Sequence, residues 1–250
     1  MPISNGGPQT NRSDVSVDPH HLLLVGVGAG PGLGSAIARR FAREGYRVTL
    51  VARSVATLVP IAQELGAAGA EVASVQADAG EPHGLRAALA PVFAAPGAPG
   101  IVIYNAALMA FDDLLTVSPE QLADAYAVNV IGAVRTAQLA VPAMRAAAGG
   151  TLLFTGGGFA DALPAALATV SLGKVTLRAV ATMLARELRE DGIHAASLTI
   201  LGQIATGTPF DPERIAEVYW AISNEDRAGW REEYRFDGAL SQQPASKLRA

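Results

Sequence analysis

Short unbroken apolar runs alternate along this chain with longer stretches whose apolar positions recur every three or four residues. The first run, 22–25, is apolar at every position and ends in glycines. An alternating run would bury one face of a strand; an unbroken one reads as a strand buried on both faces of a parallel sheet. From 35 to 44, Ile37, Ala38, Phe41 and Ala42 fall at helical spacing, and Gly45 stops the helix. The same reading predicts strands over 48–51, 72–76, 101–104, 151–155 and 195–200, with a short last strand over 234–236. Helices are expected over 57–65, 85–93, 118–148, 165–190 and 211–223. Ser118-Pro119-Glu120 carries a cap, a proline at the first helical position and an acid that complements the dipole. Strand and helix alternate six times, so right-handed crossovers build one parallel sheet with helices on both faces.

Composition narrows the picture. The 250 residues are half apolar, carry a net charge of −4 and contain no cysteine. That excludes disulfides, thiolate metal sites and a thiol nucleophile. His20, His21, His83 and His194 show no ligand spacing, so no metal is expected. The 19 basic residues are scattered, which gives a nucleic-acid partner no electrostatic support. The longest uncharged run, 87–111, is broken by prolines and glycines and cannot span a membrane as a helix. The first residues are polar with no apolar signal core, and a cytoplasmic protein is expected. We expect a flexible N-terminal tail at 1–20, one domain at 21–240 and a C-terminal tail at 241–250.

Gly26, Gly28, Gly30, Gly32 and Gly34 lie between the first strand and the first helix. Such a loop either turns the chain or cradles a phosphate on the helix N-terminus; the strand before it and the helix after it favour the cradle. Where an NAD site places a carboxylate for the ribose, the second strand ends Val51-Ala52-Arg53-Ser54. Arg53 suits a 2′-phosphate through its planar fork, so NADP(H) is favoured over NAD(H).

These residues resemble the short-chain dehydrogenase/reductase family over about 21–240. Gly28-Ala29-Gly30-Pro31-Gly32-Leu33-Gly34 is similar to the family's TGxxxGxG loop, with Val27 for the threonine. Asp78 resembles the aspartate that meets the adenine. Asn105-Ala106-Ala107 resembles the NAG segment, Asn129 the helix asparagine that holds a catalytic water, and Leu201-Gly202-Gln203-Ile204-Ala205-Thr206 the PGxIxT segment at the nicotinamide end. The resemblance implies a single-domain Rossmann-type fold, a doubly wound parallel sheet of about seven strands. It also implies a cofactor site made of Gly28, Gly30, Gly32, Leu33, Gly34, Arg53, Asp78, Asn105, Ala106, Lys174 and Thr206, with Lys174 and Asn129 as catalytic residues. It further implies a homodimer or homotetramer joined through the two long helices.

Lys174 matches the lysine of the family's YxxxK signature, but Val170 stands where the tyrosine would be, and Gly157 falls where the active serine would be. Neither side chain can give a proton or a hydrogen bond to a substrate oxygen. A water held by Asn129 and Lys174 is then the expected donor, and Tyr104 and Thr155 are further hydroxyls near the strand ends. Leu108, Met109, Phe111, Phe159, Ala160 and Leu163 follow the fourth and fifth strands and point to an apolar carbonyl substrate. Two functions follow: a carbonyl/alcohol oxidoreductase with a non-standard proton path, or a cofactor-binding sensor or partner subunit without turnover.

Overall fold

The computed structural model describes residues 16–239. The expected C-terminal tail and most of the expected N-terminal tail lie outside them. Seven strands form one parallel sheet: β1 (Val17–Val25), β2 (Arg47–Ala52), β3 (Val72–Gln76), β4 (Ala98–Tyr104), β5 (Gly150–Gly157), β6 (Ile193–Ile200) and β7 (Glu233–Phe236). Their order is β3-β2-β1-β4-β5-β6-β7, with the reversal of direction between β1 and β4. The helices are α1 (Leu33–Arg43), α2 (Val55–Ala67), α3 (Pro82–Ala94), α4 (Pro119–Tyr126), α5 (Gly132–Ala146), α6 (Phe159–Ala162), α7 (Ala168–Leu188) and α8 (Pro212–Ser223).

The unbroken apolar runs feed two cores. Leu22 and Leu24 of β1 pack with Ile37 and Phe41 of α1, Leu58 of α2 and Tyr219 of α8. Leu23 and Val25 point the other way, toward Leu85 and Leu89 of α3, Ala137 of α5 and Leu177 of α7. Alternate side chains of one strand thus serve opposite faces, which is why no polar position interrupts the run. Trp220 joins the first core edge-on to Phe41 and Tyr46, and Trp230 stacks on His194, so both pack the C-terminal elements against the sheet.

Four expectations need correction. β1 begins at Val17, inside the stretch expected as tail, because Val17 and Asp18 pair with Ala98 and Pro99; the same pairing starts β4 at Ala98, three residues before the strand expected over 101–104. The helix expected over 118–148 is divided into α4 and α5 by a π-helical turn at Ala127–Ile131. Close packing explains the break: a Cβ on Gly132 would lie 2.4 Å from both the Ala79 carbonyl oxygen and Tyr104 Oη. The Tyr104 hydroxyl donates to the Val128 carbonyl within the turn, at 2.5 Å. The helix expected from 165 starts at Ala168, since Asp112 accepts the Thr169 backbone N–H at 3.0 Å and its hydroxyl at 2.5 Å. Upstream of it, α6 is a short helix that the sequence did not announce. Pro119–Ala146 is long and apolar enough to cross a membrane by length and composition, but it is mostly buried against the fold and divided by the π turn.

Candidate active site

The C-terminal ends of β1 and β4 meet through glycine. Gly26 has φ +97°, and a Cβ on it would lie 2.2 Å from the Ala106 nitrogen. Gly34 opens α1 against the end of β1; its Cβ would lie 3.1 Å from the Gly26 carbonyl oxygen. Gly28, Gly30 and Gly32 face open space instead, with no atom of the described residues within 4 Å of where a Cβ would stand. Two glycines therefore permit close packing and three leave a cradle at the start of a helix, the arrangement that admits a pyrophosphate. Ser35 fixes the cradle: its hydroxyl accepts from the Gly32 N–H at 3.0 Å and donates to the Gly32 carbonyl at 2.9 Å.

A cavity of about 280 Å³ opens beside this loop, where the strand order reverses. Gly28, Arg53, Asp78, Asn105, Ala106 and Met109 are among its walls. Arg53 is exposed at the end of β2, and its backbone carbonyl accepts from Gln76. Asp78 is braced by the Gly80 N–H, 2.8 Å from its Oδ1. Gly30 faces a second groove, between the loop and α2, lined by Ser35, Arg39 and Thr57. Leu33 is buried beneath the loop, while Thr206 is exposed on the segment after β6 and is not on the cavity wall.

Asn105 is held by a chain of hydrogen bonds that crosses the fold. Its Nδ2 donates to the Gly26 carbonyl at 2.7 Å, its Oδ1 accepts from the Thr155 hydroxyl at 3.0 Å, and Thr155 Oγ1 lies 2.7 Å from Tyr219 Oη. Burial pushes the Tyr219 phenol up, out of reach of ionisation at neutral pH. Lys174 lies one turn along α7 from Val170, and its Nζ donates to the Thr155 carbonyl at 2.6 Å. Both side chains are buried. Burial, with no carboxylate partner among the described residues, lowers the Lys174 ammonium from 10.5 to about 8. Gly157 lies alongside: a Cβ there would be 3.9 Å from Lys174 Cε and 3.8 Å from Phe159 Cδ2, so a Cβ fits without displacing either.

Three sequence expectations change here. The side chain of Asn129 is drawn into holding the loop, because its Oδ1 accepts from the Leu108 N–H at 2.8 Å and its Nδ2 donates to the Leu108 carbonyl at 3.1 Å, which leaves one Nδ2 N–H and one Oδ1 lone pair for a water. It positions the loop after β4. Tyr104 and Thr155 are equally committed, to Val128 and to the Asn105–Tyr219 chain. Ser171 turns its hydroxyl back onto the Leu167 carbonyl. Sequence reasoning missed two residues that organise the site. Tyr219 falls at an ordinary core position of the helix expected over 211–223, and Asp112 acts on a residue 57 positions away, where no local spacing could reveal it.

A glycine cradle at a helix N-terminus, beside a cavity at the reversal point of a parallel sheet, defines a dinucleotide-binding α/β protein. The chain belongs to the short chain dehydrogenase family, whose sequence profile matches residues 23–209. It is 36% identical over 128 residues to an uncharacterized oxidoreductase of Mycobacterium tuberculosis, covering 51% of this chain and 49% of that protein. It is 33% identical over 188 residues to a very-long-chain 3-oxoacyl-CoA reductase of Coccidioides immitis, covering 73% of this chain and 54% of that protein. The chain thus spans about half the length of these relatives. A metagenomic short-chain oxidoreductase solved in complex with NADP superposes with a TM-score of 0.77 at 26% identity, over 88% of this chain and 98% of that one.

Proposed function

We propose that the protein is an NADP(H)-dependent oxidoreductase that interconverts an apolar carbonyl compound and its alcohol, with a proton path that uses no tyrosine. The observation that carries the cofactor choice is Arg53, exposed on the cavity wall at the end of β2, where an NAD site would offer a carboxylate. The NADP complex of the structural relative agrees with it. On this reading the N-terminus of α1 and Gly28, Gly30, Gly32, Leu33 and Gly34 take the pyrophosphate, and Arg53 takes the 2′-phosphate. Asp78 serves the adenine, Asn105 and Ala106 line the path, and Lys174 and Thr206 serve the nicotinamide end. When bound, the nicotinamide gives a hydride to the carbonyl carbon or takes one from the alcohol.

Met109, Phe111, Leu114, Leu115 and Leu163 stand exposed on the segments after β4 and β5, which supports an apolar substrate. The name of the C. immitis relative, a reductase of very-long-chain 3-oxoacyl-CoA, is of the same kind. Leu172, Val175 and Met183, exposed on α7, support a homodimer or homotetramer joined through the long helices.

Titration of the protein with NADPH and NADH, followed by nicotinamide fluorescence, tests the reading. NADPH is expected to bind at least about 10-fold tighter, and Arg53→Ala to erase most of that difference, since a charge-assisted hydrogen bond is worth about 1.5–3 kcal/mol. A preference for NADH refutes it. Val170 and Gly157 favour a second reading, a cofactor-binding sensor or partner subunit without turnover. That reading holds if NADPH binds but no carbonyl is reduced until Val170→Tyr and Gly157→Ser are introduced together.

A further inference from the structure

We infer that Lys174 is itself the acid–base group of this site, giving a proton directly to the substrate oxygen during reduction and taking one from the alcohol during oxidation. This rests on the oxidoreductase reading above. The buried hydroxyls described around the site are occupied, Tyr104 on Val128, Thr155 on Asn105 and Tyr219, Thr169 on Asp112 and Ser171 on Leu167, and the Asn129 amide, bonded to Leu108, is no acid. Val170 and Gly157 have no proton to give. Lys174 uses one of its three N–H bonds, on the Thr155 carbonyl, which leaves two.

Space and charge agree. The lysine stem runs beside Gly157, both Cγ and Cε lying 3.9 Å from where a Cβ would be, and Phe159 Cδ2, at 3.8 Å, borders the same space, which Gly157 leaves without a side chain of its own. Among the described residues no carboxylate bonds the ammonium to hold its proton there, and burial brings its ionisation down to about 8. The rest of the chain sharpens the point. It has seventeen arginines and two lysines, and the other lysine, Lys247, lies outside the described residues. Arginine serves every ion pair recorded among the described residues, for example Arg39–Glu213, Arg145–Asp191 and Arg178–Asp161. Guanidinium holds its proton at any working pH, whereas an ammonium can release one.

In reduction the carbonyl carbon gains a hydride from the reduced nicotinamide, and the C=O π electron pair moves to oxygen. The oxygen forms an O–H bond as one Nζ–H bond of Lys174 breaks. The neutral amine then regains a proton from solvent. Oxidation reverses each step.

The test begins without cofactor or substrate. In a Lys247→Arg background, lysine-selective ¹³C,¹⁵N labelling leaves one side-chain NMR signal, expected to titrate near pH 8. Hexanal with cyanoborohydride is expected to tag that residue, at a rate that rises through the same pH. Titration near the ordinary 10.4, or absence of the tag, overturns the inference. The second arm assays NADPH-dependent reduction of a series of 2-alkanones. Turnover is expected to fall about tenfold for each pH unit above 8. Lys174→Arg, which keeps the charge but not the labile proton, is expected to lose about 10²–10⁴ in kcat at saturating NADPH. Turnover that survives Lys174→Arg overturns the role of Lys174 and leaves the oxidoreductase reading standing. A wild type that reduces no ketone overturns that reading, and this inference with it.

Discussion

Replacing Lys174 by methionine is expected to make the protein more stable. The two side chains are close in length, so the substitution removes a charge without opening a large hole. Burial depresses the ammonium from 10.5 to about 8. At about 1.4 kcal/mol per tenfold change in proton affinity, that difference costs the folded state about 3 kcal/mol at pH 7. The bond from Nζ to the Thr155 carbonyl offsets part of it, about 1 kcal/mol. Lys174→Met is therefore expected to gain about 1–2 kcal/mol in urea unfolding of the cofactor-free protein at pH 7. The sign of the pH dependence follows from the direction of the shift. Between pH 8 and 10.5 the unfolded chain binds more protons than the folded one, so the wild type gains stability as pH rises. The burial cost of the lysine should be about half relieved at pH 9.5 and gone above 10.5, and the advantage of the variant shrinks with it. A loss of more than about 1 kcal/mol at pH 7, or a difference that does not change with pH, would refute the reasoning.

Tyr219→Phe removes the far end of the chain that holds Asn105, leaving Thr155 without that contact. It is expected to cost about 1 kcal/mol of stability and to weaken NADPH in a fluorescence titration; unchanged affinity would show that Asn105 is held without it. Asp112→Ala uncovers the start of α7 and frees the loop after β4. Stability is expected to fall by about 1–2 kcal/mol in urea, with KM for a reduced ketone rising more than kcat falls; the opposite split would argue that the loop takes no part in holding substrate. Gly132→Ala drives a methyl against the Ala79 carbonyl and Tyr104. A cost of about 2 kcal/mol or more is expected by thermal unfolding, and a neutral result would mean that the π turn can shift.

The unbroken apolar runs made the sheet legible, because a strand covered on both faces has no polar side to show. The glycine loop was legible for a related reason: a backbone that must approach both a neighbouring strand and an anion leaves few residues but glycine. Ser118 and Asp211 announced their helices through local hydrogen bonds that the structure contains. What the sequence did not reveal depends on partners distant in the chain. The division of the long helix is set by Tyr104 and Ala79, and the start of α7 by Asp112. Asn129 also holds the loop after β4, a role hidden in the sequence because Leu108 is 21 residues away. In each case a side chain's role is decided by what the fold brings within 3 Å.

The bonds that run from Gly26 through Asn105 and Thr155 to Tyr219 join the beginning of the chain to its last long helix. During synthesis at about 5–20 residues per second, residue 219 follows residue 26 by at least about ten seconds. Throughout that interval the nascent glycine loop lacks the far end of its brace, and α1 lacks the helix it packs against. Nucleotide capture should therefore arrive late, after translation has passed α8. A ribosome stalled before that helix would hold a product whose sheet is nearly complete but whose loop is not set. On a nucleotide-affinity resin such fragments are expected in the flow-through, and only chains finished through α8 in the eluate.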